Sequence, residues 1–291
     1  MPAVATQPSL GSRTPVLAPE GAGREPSSST RNRLILSRSR SVTMRLALTL
    51  ASVVLSPCRG IRLIAGVAAR QISPAPGLPF VYEVDWESTT ADSTRKQHDP
   101  LASCFWPAAT PLANLVIRLA ELGVFSEDPV FLELGCGTGL LSLTAAAHGG
   151  AAKVLATDVS ETALEFTRSA AAAQDLSARL EASTFDVFSS DPLPSGVDVL
   201  MLSDLFVTED LARAHATRVA EMLGRGSSSA CMALVVDPGR STRGCFLRTL
   251  EELEVRHDGF GNAQECEARA LAGERLLLLD TEEGAPVSYE I

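Results

Sequence analysis

The residues most clearly suited to binding a ligand form a short run in which glycine occupies alternate positions. Gly135, Cys136, Gly137, Thr138 and Gly139 follow an apolar stretch and precede a helical pattern. Alternate glycines let the chain turn tightly and let a ligand approach the backbone without a Cβ in the way. The amino end of the next helix directs N–H groups and partial positive charge towards that ligand. The loop therefore suits a pyrophosphate or a carboxylate group.

Two acidic residues narrow the choice of cofactor. Asp158 lies 23 positions after Gly135, at the end of the next predicted strand, where a carboxylate accepts hydrogen bonds from ribose hydroxyls. This feature alone is compatible with NAD and with S-adenosylmethionine. Glu133, just before the loop, would repel a pyrophosphate but suits a cationic amino group, and Ser142 stands where G-x-G-x-x-G has its third glycine. We therefore expect S-adenosylmethionine rather than NAD.

The elements that must position these residues alternate between strand and helix. Strands are predicted at 130–134, 153–157, 180–184, 197–203, 231–236, 254–260 and 275–280, with helices at 140–148, 160–174, 208–223 and 241–253 and one before the first strand. This predicts an α/β fold: a doubly wound, mostly parallel, seven-stranded sheet with helices on both faces. Ligands bind beyond the carboxyl ends of such strands. Five acids fall there: Glu133, Asp158, Asp186, Asp204 and Asp237.

The stretch from Val130 to Asp158 resembles the cofactor-binding half of the class I, or seven-strand, methyltransferases. The resemblance implies that Glu133 and the loop residues Gly135 to Gly139 hold the methionine part of S-adenosylmethionine. It also implies that Asp158 holds the ribose and that Asp186 lies near the adenine. The last strand, at 275–280, would be antiparallel in such a Rossmann-like methyltransferase fold.

Three further segments resemble one family of protein-lysine methyltransferases, which includes the electron transfer flavoprotein β-subunit enzyme. They are Phe105-Trp106-Pro107-Ala108-Ala109, the run 203–212 and Val236-Asp237-Pro238-Gly239-Arg240, so the resemblance covers nearly half of the chain. The family has a Trp-Pro segment before the glycine loop and Asp-x-Phe-Tyr or Asp-x-x-Tyr after strand four. Here Asp204 and Phe206 match, but Val207 replaces the tyrosine and removes a hydroxyl that could orient the acceptor.

The resemblance implies a lysine-bearing protein substrate, with the electron transfer flavoprotein β subunit as one candidate. Asp204 would bind and orient the lysine ammonium while solvent takes its proton, and Phe206 and Trp106 would wall the pocket, Trp106 on the cofactor side. Plain core positions for the two aromatic residues and a helix cap for Asp204 stay open. Other open functions are methyl transfer to a small metabolite or RNA, a non-catalytic scaffold with the cofactor fold, and an NAD-dependent oxidoreductase.

Charge is divided unevenly along the chain. Ten arginines, no lysine and two acids give residues 1–72 a net charge of +8, so the remainder carries −18 of the total of −10. An acidic catalytic domain is a poor match for a phosphate backbone, so we expect no nucleic acid partner. We also expect a monomer.

The first part of the chain is typical of a targeting extension. Residues 1–43 are rich in Pro, Ser, Gly and Arg, and an apolar run at 44–55 is shorter than the ~20 residues needed to span a bilayer. We expect residues 1–72 to direct import into a mitochondrion or plastid, and residues 73–291 to form the methyltransferase domain, without stable membrane insertion. Translation from Met44 and a cytoplasmic location are the alternatives.

Cysteine and histidine give no metal signal. None of the six cysteines forms C-x-x-C, and no histidine lies near one at ligand spacing, so we expect free thiols and no metal. The four histidines, His98, His148, His215 and His257, are expected on the surface or in structural positions.

Overall fold

Nine strands and six helices make up the part of the chain that the computed structural model describes, residues 61–88, 101–225 and 231–281. In chain order they are β1 (Arg62–Ile64), β2 (Val67–Ile72), β3 (Val81–Val84), α1 (Ala109–Glu121), β4 (Val130–Leu134), α2 (Leu140–His148), β5 (Lys153–Asp158), α3 (Glu161–Ala173), β6 (Leu180–Thr184), β7 (Val199–Ser203), α4 (Glu209–Gly224), β8 (Met232–Asp237), α5 (Arg243–Glu252), α6 (Ala263–Leu271) and β9 (Leu276–Asp280).

A six-stranded sheet forms the centre of this part of the protein. Its order is β6-β5-β4-β7-β8-β9, and every neighbouring pair is parallel. This is the doubly wound order, in which the chain starts in the middle of the sheet and builds outwards in both directions. The direction reverses between β4 and β7, where the connections leave opposite faces and open a crevice at the carboxyl ends.

Alternate residues of the central strands enter two separate cores. In β4, Phe131 packs on the face covered by α1, α2, α3 and α6, whereas Leu132 and Leu134 pack on the face covered by α4 and α5. Because a strand points successive side chains to opposite faces, a strand buried on both sides must be apolar almost throughout. The runs Met232–Asp237 and Leu276–Asp280 have that composition.

The predicted α/β architecture is confirmed, with helices on both faces and strand bounds within two residues for the first five predicted strands. The strand predicted at 254–260 is wrong, because that stretch contains no strand and only Gly261 forms a bridge, to Leu279. The described sheet thus has six strands, not seven. The last strand runs parallel to β8, not antiparallel, because α5 and α6 return the chain to the amino edge before β9 begins.

A small antiparallel sheet, β1-β2-β3, precedes the central domain and was not predicted. β1 and β2 are joined by Ala65 and Gly66, both with positive φ, as a two-residue hairpin turn of type I′ requires. Two of its strands, β1 and β2, lie within residues 1–72, the range assigned to the extension. Residues 1–60, with the predicted targeting signal, lie outside the described part.

The small sheet holds one wall of the crevice in place. The buried Glu83 carboxylate of β3 accepts hydrogen bonds from Arg70 (2.7 Å) and from the backbone N–H of Phe105 (2.9 Å), and Val84 N–H donates to the carbonyl of Ser103 (3.0 Å). The Gln174 side chain, at the end of α3, bonds both backbone groups of Phe80. Residues 101–106 are therefore fixed to β3, and β3 is fixed to α3.

In the described residues, no helix is both long enough and apolar enough to cross a membrane.

Candidate active site and cofactor cavity

A cavity of roughly 500 Å³ opens at the carboxyl ends of β4, β5 and β7, within the range typical of small-molecule sites. Most of the residues predicted for the site line it. These are Trp106, Glu133, Gly135, Cys136, Gly137, Thr138, Asp158, Asp186 and Asp204. Gly139 and Phe206 do not line it.

The glycine loop has the backbone that its sequence predicts. Gly135 has φ +62° and Gly139 has φ +82°, in the left-handed region where a side chain is strained. A Cβ on Gly135 would lie 2.6 Å from Leu205, and one on Gly139 would lie 2.5 Å from Thr167 Oγ1. Gly139 therefore serves the cofactor site indirectly, because it lets the first turn of α2 pack against α3.

Glu133 lies in β4, and its buried side chain reaches the amino end of α2. Its Oε2 accepts hydrogen bonds from the N–H of Ser142 (2.8 Å) and from the Ser142 hydroxyl (2.5 Å). Burial raises the pKa of this carboxyl to about 8, although the Ser142 bonds act in the opposite direction, and the charge of Asp158 adds to the rise. A group with this pKa ionises readily only when a cation joins it, which suits the amino group of a methionine moiety.

Asp158 braces the glycine loop from the neighbouring strand. Its Oδ2 accepts from Gly137 N–H (2.9 Å) and its Oδ1 accepts from Ser160 N–H (2.8 Å). Ser160 in turn caps α3 through its hydroxyl, as predicted. Each carboxylate oxygen has two lone pairs, so a ribose hydroxyl can still donate to this cavity-lining group.

The adenine end predicted for Asp186 is open and apolar. Asp186 is exposed, and its Oδ1 accepts from Phe188 N–H (2.9 Å). Val159 and Phe188 also line the cavity, although they are 61% and 59% exposed. Apolar side chains left in solvent at the mouth of a cavity are what a flat aromatic base would cover. Sequence reasoning missed both, because neither stands in a periodic pattern.

At the other end of the cavity, Asp204 pairs with an arginine that was not predicted as a site residue. Arg240 Nε lies 2.5 Å from Asp204 Oδ1, and its guanidinium lies 5.9 Å from the centre of the Trp106 ring. The Asp204 side chain is 1% exposed, and its Oδ2 has no hydrogen-bond partner. Burial raises the pKa of Asp204, the bond and charge of Arg240 oppose that rise, and the charge of Asp237 adds to it.

Asp237 sets the turn that carries Arg240. Its Oδ1 accepts from the N–H groups of Gly239 and Arg240 (2.9 Å each) and from Arg243 Nε (2.8 Å). Arg243 also pairs with Asp280 at the end of β9 (2.9 Å) and lies over the Phe260 ring. The carboxyl ends of β8 and β9 are therefore joined, and Arg240 begins from a fixed backbone.

Phe206, predicted as a catalytic residue, does not line the cavity. The side chain is fully buried in the core between the sheet and α4 and α5, and its ring stacks on Phe246 with centres 4.3 Å apart. Asp204 has a left-handed backbone (φ +59°), which turns the chain so that positions 204 and 206 face different surroundings. Leu205 and Val207 line the cavity instead.

His215 was expected in a surface or structural position, but it lines the cavity from α4. Its Nδ1 lies 2.7 Å from the carbonyl oxygen of Leu211, which can only accept, so Nδ1 carries the proton and Nε2 is an acceptor. Burial lowers the pKa of His215 to about 4, and the charge of Arg218 acts in the same direction. His215 is therefore neutral at physiological pH.

The described cysteines are free thiols, and no group of acids, cysteines and histidines in the described ranges has the geometry of a metal site. Cys136 lines the cavity, and burial raises the pKa of its thiol well above the ordinary value. A protonated thiol is a small apolar surface and a poor nucleophile.

The cavity fits S-adenosylmethionine in the chemistry of its parts. Glu133 offers a carboxylate to an ammonium, and the loop at Gly135 and Gly137 offers backbone without side chains. Asp158 offers a carboxylate to ribose, and Val159 and Phe188 offer apolar cover to adenine. NAD would place its pyrophosphate beside the buried Glu133, and an acidic side chain at that position disfavours NAD.

Residues 131–226 match the family model of a methyltransferase domain, about a third of the chain. The match extends from β4 to the end of α4 and so includes the glycine loop, Asp158 and Asp204. No curated protein matches the chain significantly.

Several solved structures of methyltransferases align with about half of the chain. A TehB-like SAM-dependent methyltransferase from Corynebacterium glutamicum is 18% identical over 48% of this chain and 71% of its own, with a TM-score of 0.36. Geranyl diphosphate C-methyltransferase from Streptomyces coelicolor is 14% identical over 49% and 56%, with a TM-score of 0.37. A putative RNA methyltransferase from Pyrococcus horikoshii is 18% identical over 51% and 62%, with a TM-score of 0.36. The last two are therefore covered over less than two thirds of their length, and the fold assignment rests on the strand order itself.

The buried Glu133 should make stability fall as pH rises. Its pKa is about 8 in the folded protein and 4.5 as the ordinary value, so its contribution is complete below pH 4.5 and is lost as pH rises towards 8. We expect Glu133→Gln to stabilise the cofactor-free protein relative to wild type at pH 9, on the order of 3 kcal/mol, and much less at pH 5. Urea unfolding at both pH values measures this.

Glu181→Gln, at an exposed surface ion pair with Lys153, is the matched control and should leave the pH dependence unchanged. Parallel pH profiles for wild type and Glu133→Gln would contradict a buried, cofactor-dependent charge at Glu133. The same substitution should weaken the affinity for S-adenosylhomocysteine, measured by calorimetry.

The strand order, the geometry of the loop and the family match agree with one another. Parallel strands place Glu133, the glycine loop and Asp158 around one cavity, and these residues lie within the matched range. Residues 131–226 therefore match a methyltransferase domain, and the cavity that they help to form fits S-adenosylmethionine as its cofactor.

Proposed function

We propose that this methyltransferase transfers a methyl group to the side-chain amine of a lysine in a protein. The proposal is carried by Asp204, a buried carboxylate at the end of β7 that lines the same cavity as the glycine loop and has an Oδ2 without a hydrogen-bond partner. A buried acceptor atom without a partner is costly unless a ligand supplies the donor. An amine N–H is such a donor.

The residues around Asp204 give the acceptor a mostly apolar site. Trp106, Leu205, Val207 and Leu211 line this part of the cavity and can pack along the methylene chain of a lysine. S-Adenosylmethionine, when bound, supplies a methyl group that is already activated by its sulfonium. The protein therefore has to hold the amine nitrogen in line and exclude water, and no residue has to form a covalent intermediate.

Val207 occupies the position of the tyrosine in the lysine methyltransferase family that the sequence resembles, and it is 40% exposed at the cavity. The rim of the acceptor site is therefore apolar where that family has a hydroxyl. On the resemblance alone, the electron transfer flavoprotein β subunit is the first acceptor to test. The net charge of −18 beyond residue 72 favours a basic or neutral protein over RNA.

Radiolabelled S-adenosylmethionine can identify the acceptor directly. We expect incubation of the protein with an organelle extract, and separately with the flavoprotein β subunit, to place label on protein that yields methyl-lysine after acid hydrolysis. Asp204→Asn should reduce this labelling roughly 100-fold, as loss of a positioning contact does, while S-adenosylhomocysteine still binds. Label in RNA or in a small molecule would contradict the proposal.

The matched control is Asp175→Asn, an exposed aspartate in the turn after α3 with positive φ that asparagine accepts. It should label like wild type. Equal labelling by Asp204→Asn would show that this carboxylate does not position the acceptor.

We propose further that the basic first part of the chain directs import into a mitochondrion or plastid. Its ten arginines, absence of lysine and two acids within residues 1–72 support this. Residues 1–60 fused to a fluorescent protein should accumulate in the organelle. Comparison with a shorter fusion, which begins at Met44, measures the contribution of residues 1–43 to import. Diffuse cytoplasmic fluorescence of the full fusion would contradict import.

A further inference from the structure

Arg240 occupies the acceptor end of the cavity in a way that bears on the charge of the acceptor. It lines the cavity, its side chain is 23% exposed, and it is paired with Asp204 Oδ1. Its backbone is fixed by the Asp237 turn, and its guanidinium lies near the face of Trp106. Two side-chain contacts and one backbone contact therefore hold this residue in place, so its charge is a constant feature of the site.

The charges around Asp204 nearly balance. The Asp204 carboxylate is matched by Arg240 and the Asp237 carboxylate by Arg243, at 2.5 and 2.8 Å. Asp280, on β9, also pairs with Arg243, but its side chain is 45% exposed and is screened by water. From α4, His215 presents a neutral imidazole. Glu133 and Asp158 face the same cavity from β4 and β5, where the cofactor's own ammonium and ribose would engage them.

An alkylammonium that enters such a site gains little. It would give up its hydration to join a carboxylate that is already neutralised, and it would lie close to the fixed guanidinium of Arg240. An uncharged amine avoids both costs. It can donate one N–H to Asp204 Oδ2, the atom without a partner, and keep its lone pair free.

We propose that Arg240 is a positioning residue that makes the acceptor site select the uncharged amine over the ammonium. This rests on the proposed amine acceptor and refines the expectation that Asp204 binds an ammonium. The acceptor loses one proton to solvent on entry. Its nitrogen lone pair then forms the N–C bond as the S–C bond breaks with its electron pair on sulfur, and the product loses a second proton to water.

Probes of one shape and two charges test this selection without a turnover assay. n-Butylguanidine stays cationic at pH 9, whereas n-butylurea has nearly the same shape and no charge. We expect calorimetry on the wild-type complex with S-adenosylhomocysteine to show at least about tenfold tighter binding of the urea. Arg240→Gln should reverse the preference, because Asp204 is then an uncompensated carboxylate, and Arg240→Lys should retain it.

The pH dependence of amine binding gives the second readout. n-Butylamine should bind wild type about tenfold more tightly for each pH unit between 7.5 and 9.5, as its uncharged fraction grows. n-Butanol, which does not titrate, should show no such trend and so reports any titration of the protein. As a control, thermal unfolding of each variant should be cooperative, as expected of a folded protein.

Three results would overturn the proposal: a wild-type preference for the guanidine, an unchanged preference in Arg240→Gln, or no binding of any probe. The labelling experiment tests the proposed function independently of the probe experiment. Methyl-lysine together with an unchanged preference in Arg240→Gln would remove the role of Arg240 and leave the proposed function. The expected probe results together with label on another kind of amine would support the role of Arg240 and contradict lysine as the acceptor.

Discussion

The structure depends on one constraint: parallel strands end side by side, so the carboxylates at their ends meet in a single, largely buried region. Glu133, Asp158, Asp204 and Asp237 are all buried there, at the ends of four adjacent strands. A buried carboxylate is stable only with hydrogen bonds or an opposite charge. Each of the four therefore dictates what surrounds it, and those surroundings form the walls of the cavity.

The four acids have hydrogen-bond partners of two different kinds. Glu133 and Asp158 use donors of the glycine loop and of the helices that follow it, through Ser142, Gly137 and Ser160. Asp204 and Asp237 use arginines that follow β8. The cofactor half of the cavity thus has neutral partners that leave room for a ligand's cation, whereas the acceptor half has its charge already balanced.

Much of this could be predicted from the sequence because the signals are local. The glycine loop, the next acid at Asp158, the Ser160 cap and the alternation of apolar strands with helices each follow from neighbouring residues and from the period of the pattern. Those features fix the sheet and the cofactor half of the site. They do not reveal whether the side chain of Phe206 points into the cavity or into the core, because that depends on the left-handed backbone of Asp204.

The errors arise where distant residues decide the outcome. The small sheet turns on Ala65-Gly66, which lacks the asparagine or aspartate that signals such a turn. It is held by contacts with distant parts of the chain, which Glu83 makes with Phe105 and Gln174 makes with Phe80. Arg240 and Asp204 are 36 positions apart and meet only because β7 and β8 are neighbours. The direction of β9 likewise depends on how α5 and α6 pack, and not on its own run of leucines.

Calorimetric titration with S-adenosylhomocysteine and with NADH, for wild type and Gly135→Val, tests the central claim that the glycine loop forms an S-adenosylmethionine site. The account predicts that S-adenosylhomocysteine binds wild type and that NADH does not. It also predicts that the valine abolishes binding, because a β-branched residue is strained at φ +62° and its side chain also displaces Leu205 in the cavity wall. Binding of NADH to wild type, or undiminished binding of S-adenosylhomocysteine to Gly135→Val, would contradict it.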